Sequence, residues 1–173
     1  MATVNVGGSQ QYLFFGSGSD LLPRPPGMKT EYRLVAVLDN GDSAKKSFDI
    51  KLQKTDGTQD EKVTGFPAVA GDIVFFTTTF VKADPCSAPD ANLYALTFIG
   101  GAAYDNTGDG KVDKKDSEVV KKITGARATA PFIVDRHLAF TAGNKLEMFG
   151  DSQAFNNGIG QAGVRILSWR EIR

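Results

Sequence analysis

A chain of 173 residues is long enough to bury one real core, read here as a single domain over 1–173. Its 20 Lys and Arg balance 20 Asp and Glu, which argues against nucleic-acid binding through a basic, phosphate-neutralising face. No apolar run approaches the roughly 18 residues of a membrane span, and Met1-Ala2-Thr3-Val4-Asn5 lacks the basic and apolar regions of a signal peptide.

With 19 Gly and 12 Phe, the composition suits many short strands joined by tight turns. Residues 1–9 read as a loose lead-in. Gln11-Tyr12-Leu13-Phe14-Phe15 is a short aromatic strand ended by Gly16-Ser17-Gly18. Leu21 to Gly27 reads as a loop, because Pro23, Pro25 and Pro26 exclude helix and central strand. Glu31 to Leu38 predicts a strand, and Asn40-Gly41 is a pair favoured in hairpin turns. Lys46 to Leu52 returns as a strand with Phe48, Ile50 and Leu52 alternating against polar residues. Lys54 to Lys62 reads as polar and turn-like.

Two later stretches are copies of one unit. Pro67 to Thr77 lies over Pro131 to Thr141 without a gap, with Pro, the polar turn, the aromatic and the Thr in register. Each is followed by another strand, Asn92 to Leu96 in one copy and Asn144 to Phe149 in the other. Leu13-Phe14-Phe15-Gly16 with Arg33 to Val37 makes a weaker third copy. Repeats of this form predict propeller blades, four-stranded antiparallel sheets of about 40–50 residues, of which about 4–8 close a ring. The expected fold is all-β, with antiparallel blades of a modified β-propeller. About three blades leave the ring incomplete, to be completed by further chain or by a partner.

Asp105 to Asp116 has the spacing of an EF-hand calcium loop. Asp105, Thr107, Asp109 and Asp113 stand at the side-chain ligand positions, Lys111 at the carbonyl position and Asp116 at the last carboxylate position. Gly110 stands where the loop must turn sharply. A hard cation takes six to eight oxygens, and a tight loop turns every second side chain inward. Thr107 is a weaker ligand than the usual Asp or Asn, and Asp116 is shorter than the usual Glu. The bland alternative is an acidic surface turn. The loop lies between a strand at Leu93–Phe98 and an expected blade-closing strand at Glu118–Ile123, so its first role is to clamp a long turn.

Other candidates are weaker. His137, the single histidine, reads as structural, since no Gly-x-Ser-x-Gly elbow accompanies it. Cys86, the single cysteine, has no internal disulfide partner and no basic neighbours to activate it, so it is a free loop thiol or pairs outside the chain. There is no Cys-x-x-Cys-His for covalent haem, and Gly16-Ser17-Gly18 is not a dinucleotide motif. Lys121, Lys122 and Arg127 read as a solvated edge. Gly163 to Arg173 reads as a final strand in which Trp169 plugs the core.

Several pieces in order carry a family resemblance. They are Tyr12 to Gly18, Val74 to Phe80 running into Asp84-Pro85-Cys86-Ser87, Leu93-Tyr94-Ala95-Leu96, the Asp-rich loop, and Ile166-Leu167-Ser168-Trp169-Arg170-Glu171. Together they resemble the C-terminal β-propeller of PilY-type type IV pilus biogenesis proteins. The resemblance implies a quinoprotein-like propeller at the cell surface, acting in pilus assembly, adhesion and twitching motility. It also implies a calcium loop that switches pilus dynamics, mapping onto Asp105, Thr107, Asp109, Lys111 and Asp113. Family members usually carry a long N-terminal region, often with a von Willebrand-type adhesion domain, which these residues do not contain. The expected function is therefore that of a non-enzymatic, calcium-binding surface protein. Its expected partner is pilin, another pilus component, or a chain supplying the remaining blades. The alternatives are a fragment of a quinone-dependent dehydrogenase propeller and a dockerin-like binding module, which would need a second calcium loop.

Overall fold

The computed structural model describes residues 1–7, 10–18, 32–52, 60–82, 84, 86–134 and 137–149. Among the described residues, short stretches rich in Phe, Val, Leu and Thr, punctuated by Gly, Pro and Asp, extend into twelve strands. The first sheet is a meander of β1 (Ala2–Gly7), β2 (Gln10–Gly16), β3 (Arg33–Asp39) and β4 (Ala44–Lys51). The second contains β5 (Asp60–Val63), β6 (Ala68–Ala70), β7 (Ile73–Val81), β8 (Asp90–Thr97) and β9 (Val119–Ile123), with β5 and β6 both paired to β7. The third contains β10 (Phe132–Val134), β11 (His137–Ala142) and β12 (Lys145–Phe149). All neighbouring strands run antiparallel. Among the described residues there is no helix, no closed barrel, and so no helix long and apolar enough to cross a membrane. Three antiparallel sheets in a row match the expected incomplete set of blades.

The repeat holds in the pairing register. Ala68 faces Phe75 and Ala70 faces Ile73, while Phe132 faces Ala139 and Val134 faces His137, the same offset throughout. Both copies also share a break. Val63 pairs with Thr78 and Ala68 with Phe75, so one edge is interrupted around Pro67. Ala128 bridges Ala142 before Phe132 pairs with Ala139, so the other edge is interrupted around Pro131. A proline has no N–H to give a ladder, which is why both edges break there.

The second sheet is buried on both faces. Phe75, Leu93 and Ala95 pack with Leu138 and Phe140 of the third sheet. Val74, Phe76, Tyr94 and Leu96 pack with Phe14, Leu34, Ala36 and Phe48 of the first. Successive strand residues point to opposite faces, so the run Val74-Phe75-Phe76 serves two cores at once.

Two expectations are corrected and one holds. The lead-in is ordered strand, because Ala2 to Asn5 pair with Phe14 to Gln11. The hairpin expected at Asn40-Gly41 is present: Asp39 pairs with Ala44, and the Asn40 N–H bonds the Ser43 carbonyl at 2.8 Å around Gly41 and Asp42. Asp60 to Lys62 is strand β5, with Glu61 and Lys62 each 2% exposed. Their charged side chains find partners inside the fold. Glu61 takes hydrogen bonds from β7 and β8, and the Lys62 ammonium lies 5.1 Å from the centre of the Tyr32 ring. The expected loop at Leu21–Gly27, the Lys54 to Gln59 part of the expected turn, and the expected strand at Gly163–Arg173 with Trp169 lie outside the described residues.

Candidate metal centre

The loop from Asp105 to Asp116 is closed at its base by one residue. The Ala103 N–H bonds the Ala95 carbonyl at 3.2 Å, and the Ala95 N–H bonds the Glu118 carbonyl at 2.9 Å. Both stems therefore leave from the same point on β8. Tyr104, the last residue before the loop, packs its ring 5.0 Å from that of Phe149 on β12. From the other stem, Lys121 on β9 reaches Glu147 on β12 at 2.7 Å. The loop thus rises over the seam between the second and third sheets. Lys121 is not simply part of a solvated edge; it ties two sheets together and holds the Glu147 carboxyl below its usual range.

Within the loop, the first and last aspartates hold the backbone. Asp105 Oδ1 accepts from the Gly108 N–H at 2.6 Å and from the Thr107 hydroxyl at 3.2 Å, and its Oδ2 accepts from the Gly110 N–H at 2.7 Å. Asp116 accepts from the Asn106, Thr107 and Asp113 N–H groups at 3.1, 3.2 and 2.9 Å. Asn106 and Ser117 close the ring with a reciprocal pair at 2.9 and 3.2 Å. Gly108 and Gly110 have φ of +75° and +82°, with open space where a side chain would stand. Those left-handed turns aim their N–H groups back at Asp105, and few residues but glycine adopt them at little cost.

The electrostatics follow from these bonds. Asp105 is shielded from water, which raises its carboxyl pKa, yet the Gly110, Gly108, Thr107 and Asp109 donors outweigh this and leave it lowered. Asp116 is lowered chiefly by the Asp113 N–H, against the opposing effect of burial. Both carboxylates are held ionised by donors that belong to the loop itself.

Asp109 and Asp113 are exposed, and each caps the N–H two residues on, Lys111 at 3.0 Å and Lys115 at 2.7 Å. Lys111 is exposed, and its carbonyl is the remaining expected ligand. Thr107 is joined to both ends, through its hydroxyl to Asp105 and through its N–H to Asp116. Among the described residues, no three His, Cys, Asp or Glu side chains are gathered around one point for a metal ion. The donors are nevertheless all oxygens of the kind a hard cation takes, and the glycine turns stand where such a loop needs them. To join a shared centre, Asp109 and Asp113 would each release only one exposed N–H.

A pocket of about 500 Å³ opens beside the loop's second stem. Ser117, Glu118 and Val119 line it, together with Glu61, Asn92 and Tyr94. Glu61 Oε1 accepts from Thr78 at 2.5 Å, Tyr94 at 2.8 Å and Asn92 at 3.2 Å. Burial, then the Glu61 carboxylate, push the Tyr94 phenol far above its usual range, so it stays protonated and donates. Nothing in the local sequence marks Glu61, since its partners come from strands 17 to 33 residues away.

His137 opens β11, half-buried, and Cys86 is an exposed free thiol whose N–H bonds Asp84 at 3.0 Å. Neither joins the loop or the pocket. Comparison with protein-family models, curated proteins and solved structures finds no match.

Proposed function

We propose that this chain is a calcium-binding, non-enzymatic β-sheet protein whose metal loop sets a binding surface for a protein partner. The observation that supports it is the organisation of the Asp105–Asp116 loop. The carboxylates at its two ends already draw in the backbone, and the two between them, Asp109 and Asp113, are bound only by single exposed N–H groups. Asp105, Thr107, Asp109, Asp113 and Asp116 would hold the ion through side chains and Lys111 through its carbonyl. When bound, the ion would supply positive charge at the centre of the loop.

The chain's own part is mechanical. Asp116 leads directly into Ser117 to Val119, which line the adjoining pocket. Fixing Asp116 fixes that lining, and with it the surface offered to a partner. Calcium would act by favouring the ordered loop over looser ones, a shift no larger than its difference in affinity for the two. The PilY-type resemblance makes the type IV pilus the proposed setting, the cell surface the proposed location, and pilin or another pilus component the proposed partner.

Titration calorimetry with calcium, and separately with magnesium, tests the reading. Wild-type protein should bind one calcium ion, and Asp109→Ala should lose at least about tenfold in affinity, roughly 1.4 kcal/mol. Equal weak heats for both proteins would leave the loop an acidic turn.

A further inference from the structure

The three sheets repeat in which face looks forward along the stack as well as in strand order. In β7, Phe75 packs towards the third sheet, and Val74 and Phe76 pack towards the first. In β11, Leu138 and Phe140, which align with Val74 and Phe76, pack back on the second sheet. In β2, Phe14 looks forward onto the second sheet, as Phe75 does onto the third. Leu13-Phe14-Phe15, Val74-Phe75-Phe76 and Leu138-Ala139-Phe140 are therefore one motif. Its outer two residues look back and its middle residue looks forward. Thr77 agrees, since it looks forward and donates to the Thr129 carbonyl at 2.8 Å.

The middle sheet has both faces covered. Among the described residues, the ends leave one face of each kind. On the backward face of the first sheet, Phe15 is 39% exposed and Leu13 half-buried. On the forward face of the third sheet, Phe132 and Met148 flank Ala139 and are each 47% exposed, and Leu146 opposite Thr141 is 63% exposed. An antiparallel sheet with a solvated face normally turns polar residues to that side. On the third sheet those positions are apolar; on the first, Leu13 and Phe15 face Val37 and Val35 in an apolar strip, with the Arg33–Asp49 ion pair beside it.

We propose that the forward face of the third sheet receives the backward face of the first sheet of a second copy of this chain. The chain carries both halves of this contact. They stand in the relation that already joins its first sheet to its second and its second to its third. Such a contact is heterologous, and two copies related by a two-fold axis make it twice and close. The assembly would hold six sheets, within the range of about four to eight that close a propeller ring. This inference does not depend on calcium.

Sedimentation velocity over a concentration series tests it, with circular dichroism to show that each variant is folded. Wild type should form a closed dimer. Phe15→Lys and Leu146→Lys should each weaken self-association at least about tenfold, because each places a charge in every contact of its own assembly. Phe15→Ser and Met148→Lys replace either variant that fails to keep the wild-type spectrum. An equimolar mixture of the two lysine variants should form a one-to-one dimer again, since one contact in it is intact on both sides. A wild type that stays monomeric at high concentration would overturn the proposal. So would a Phe15→Lys protein that dimerises like wild type, which would mean that third sheets pair with each other, and so would an open series of particles larger than the dimer.

Discussion

Removing the Glu61 side chain should cost this protein a large part of its stability. Glu61→Ala leaves the Thr78 hydroxyl, the Asn92 amide and the Tyr94 hydroxyl without their common acceptor. A buried donor left unmatched costs about 1–3 kcal/mol. Asn92 and Tyr94 line the pocket of about 500 Å³, so water can reach them and their cost falls at the low end. Thr78 is 0% exposed and takes the full cost. The sum is about 3–5 kcal/mol, against a typical total of about 5–15 kcal/mol. Tyr94→Phe removes one of the three bonds and no acceptor, so it should cost about 1–2 kcal/mol. Urea unfolding followed by circular dichroism measures both. A cost below about 1 kcal/mol for Glu61→Ala, or a larger cost for Tyr94→Phe than for Glu61→Ala, would refute the assignment of Glu61 as a structural hub.

The same tyrosine predicts an alkaline limit. Its pKa is raised in the folded state, so above pH ~10 the unfolded chain releases a proton the folded one keeps, and stability should fall by up to about 1.4 kcal/mol per pH unit. Tyr94→Phe should show a shallower fall in urea titrations between pH 9 and 11. Lys121→Met should shift the melting midpoint by less than about 4 °C, since the Lys121–Glu147 pair is about one-third exposed and such pairs contribute little. Gly110→Ala should cost about 1–2 kcal/mol in urea unfolding without calcium, a purely backbone penalty, because its φ is +82° and the space around it is open.

Much of the architecture was legible because the repeat carries its own register. Laying Pro67–Thr77 over Pro131–Thr141 places Ile73 against His137 and Phe75 against Ala139, and those residues occupy equivalent rungs in the second and third sheets. The first strand was missed because Ala2 to Gly7 has few large apolar residues; its order comes from pairing with β2. Glu61 and Lys62 were missed because charge in sequence signals exposure, and only the assembled strands show that carboxylate and ammonium are both satisfied. Lys121 was read as an edge residue for the same reason, its partner Glu147 lying on another sheet. In the loop, spacing marked Asp105 and Asp116 as ligands of one kind. Their shared role as acceptors for five backbone N–H groups depends on the turns at Gly108 and Gly110, which fold them back.

The most direct measurement is a thermal melt of wild type and Asp109→Ala, each in excess calcium and in chelator. Calcium at about a hundredfold over its dissociation constant stabilises the folded form by about 2.7 kcal/mol, which for a chain of this size is a rise of about 5–11 °C. The account predicts that rise for wild type and its loss in Asp109→Ala. Midpoints that agree in calcium and chelator for wild type would contradict it.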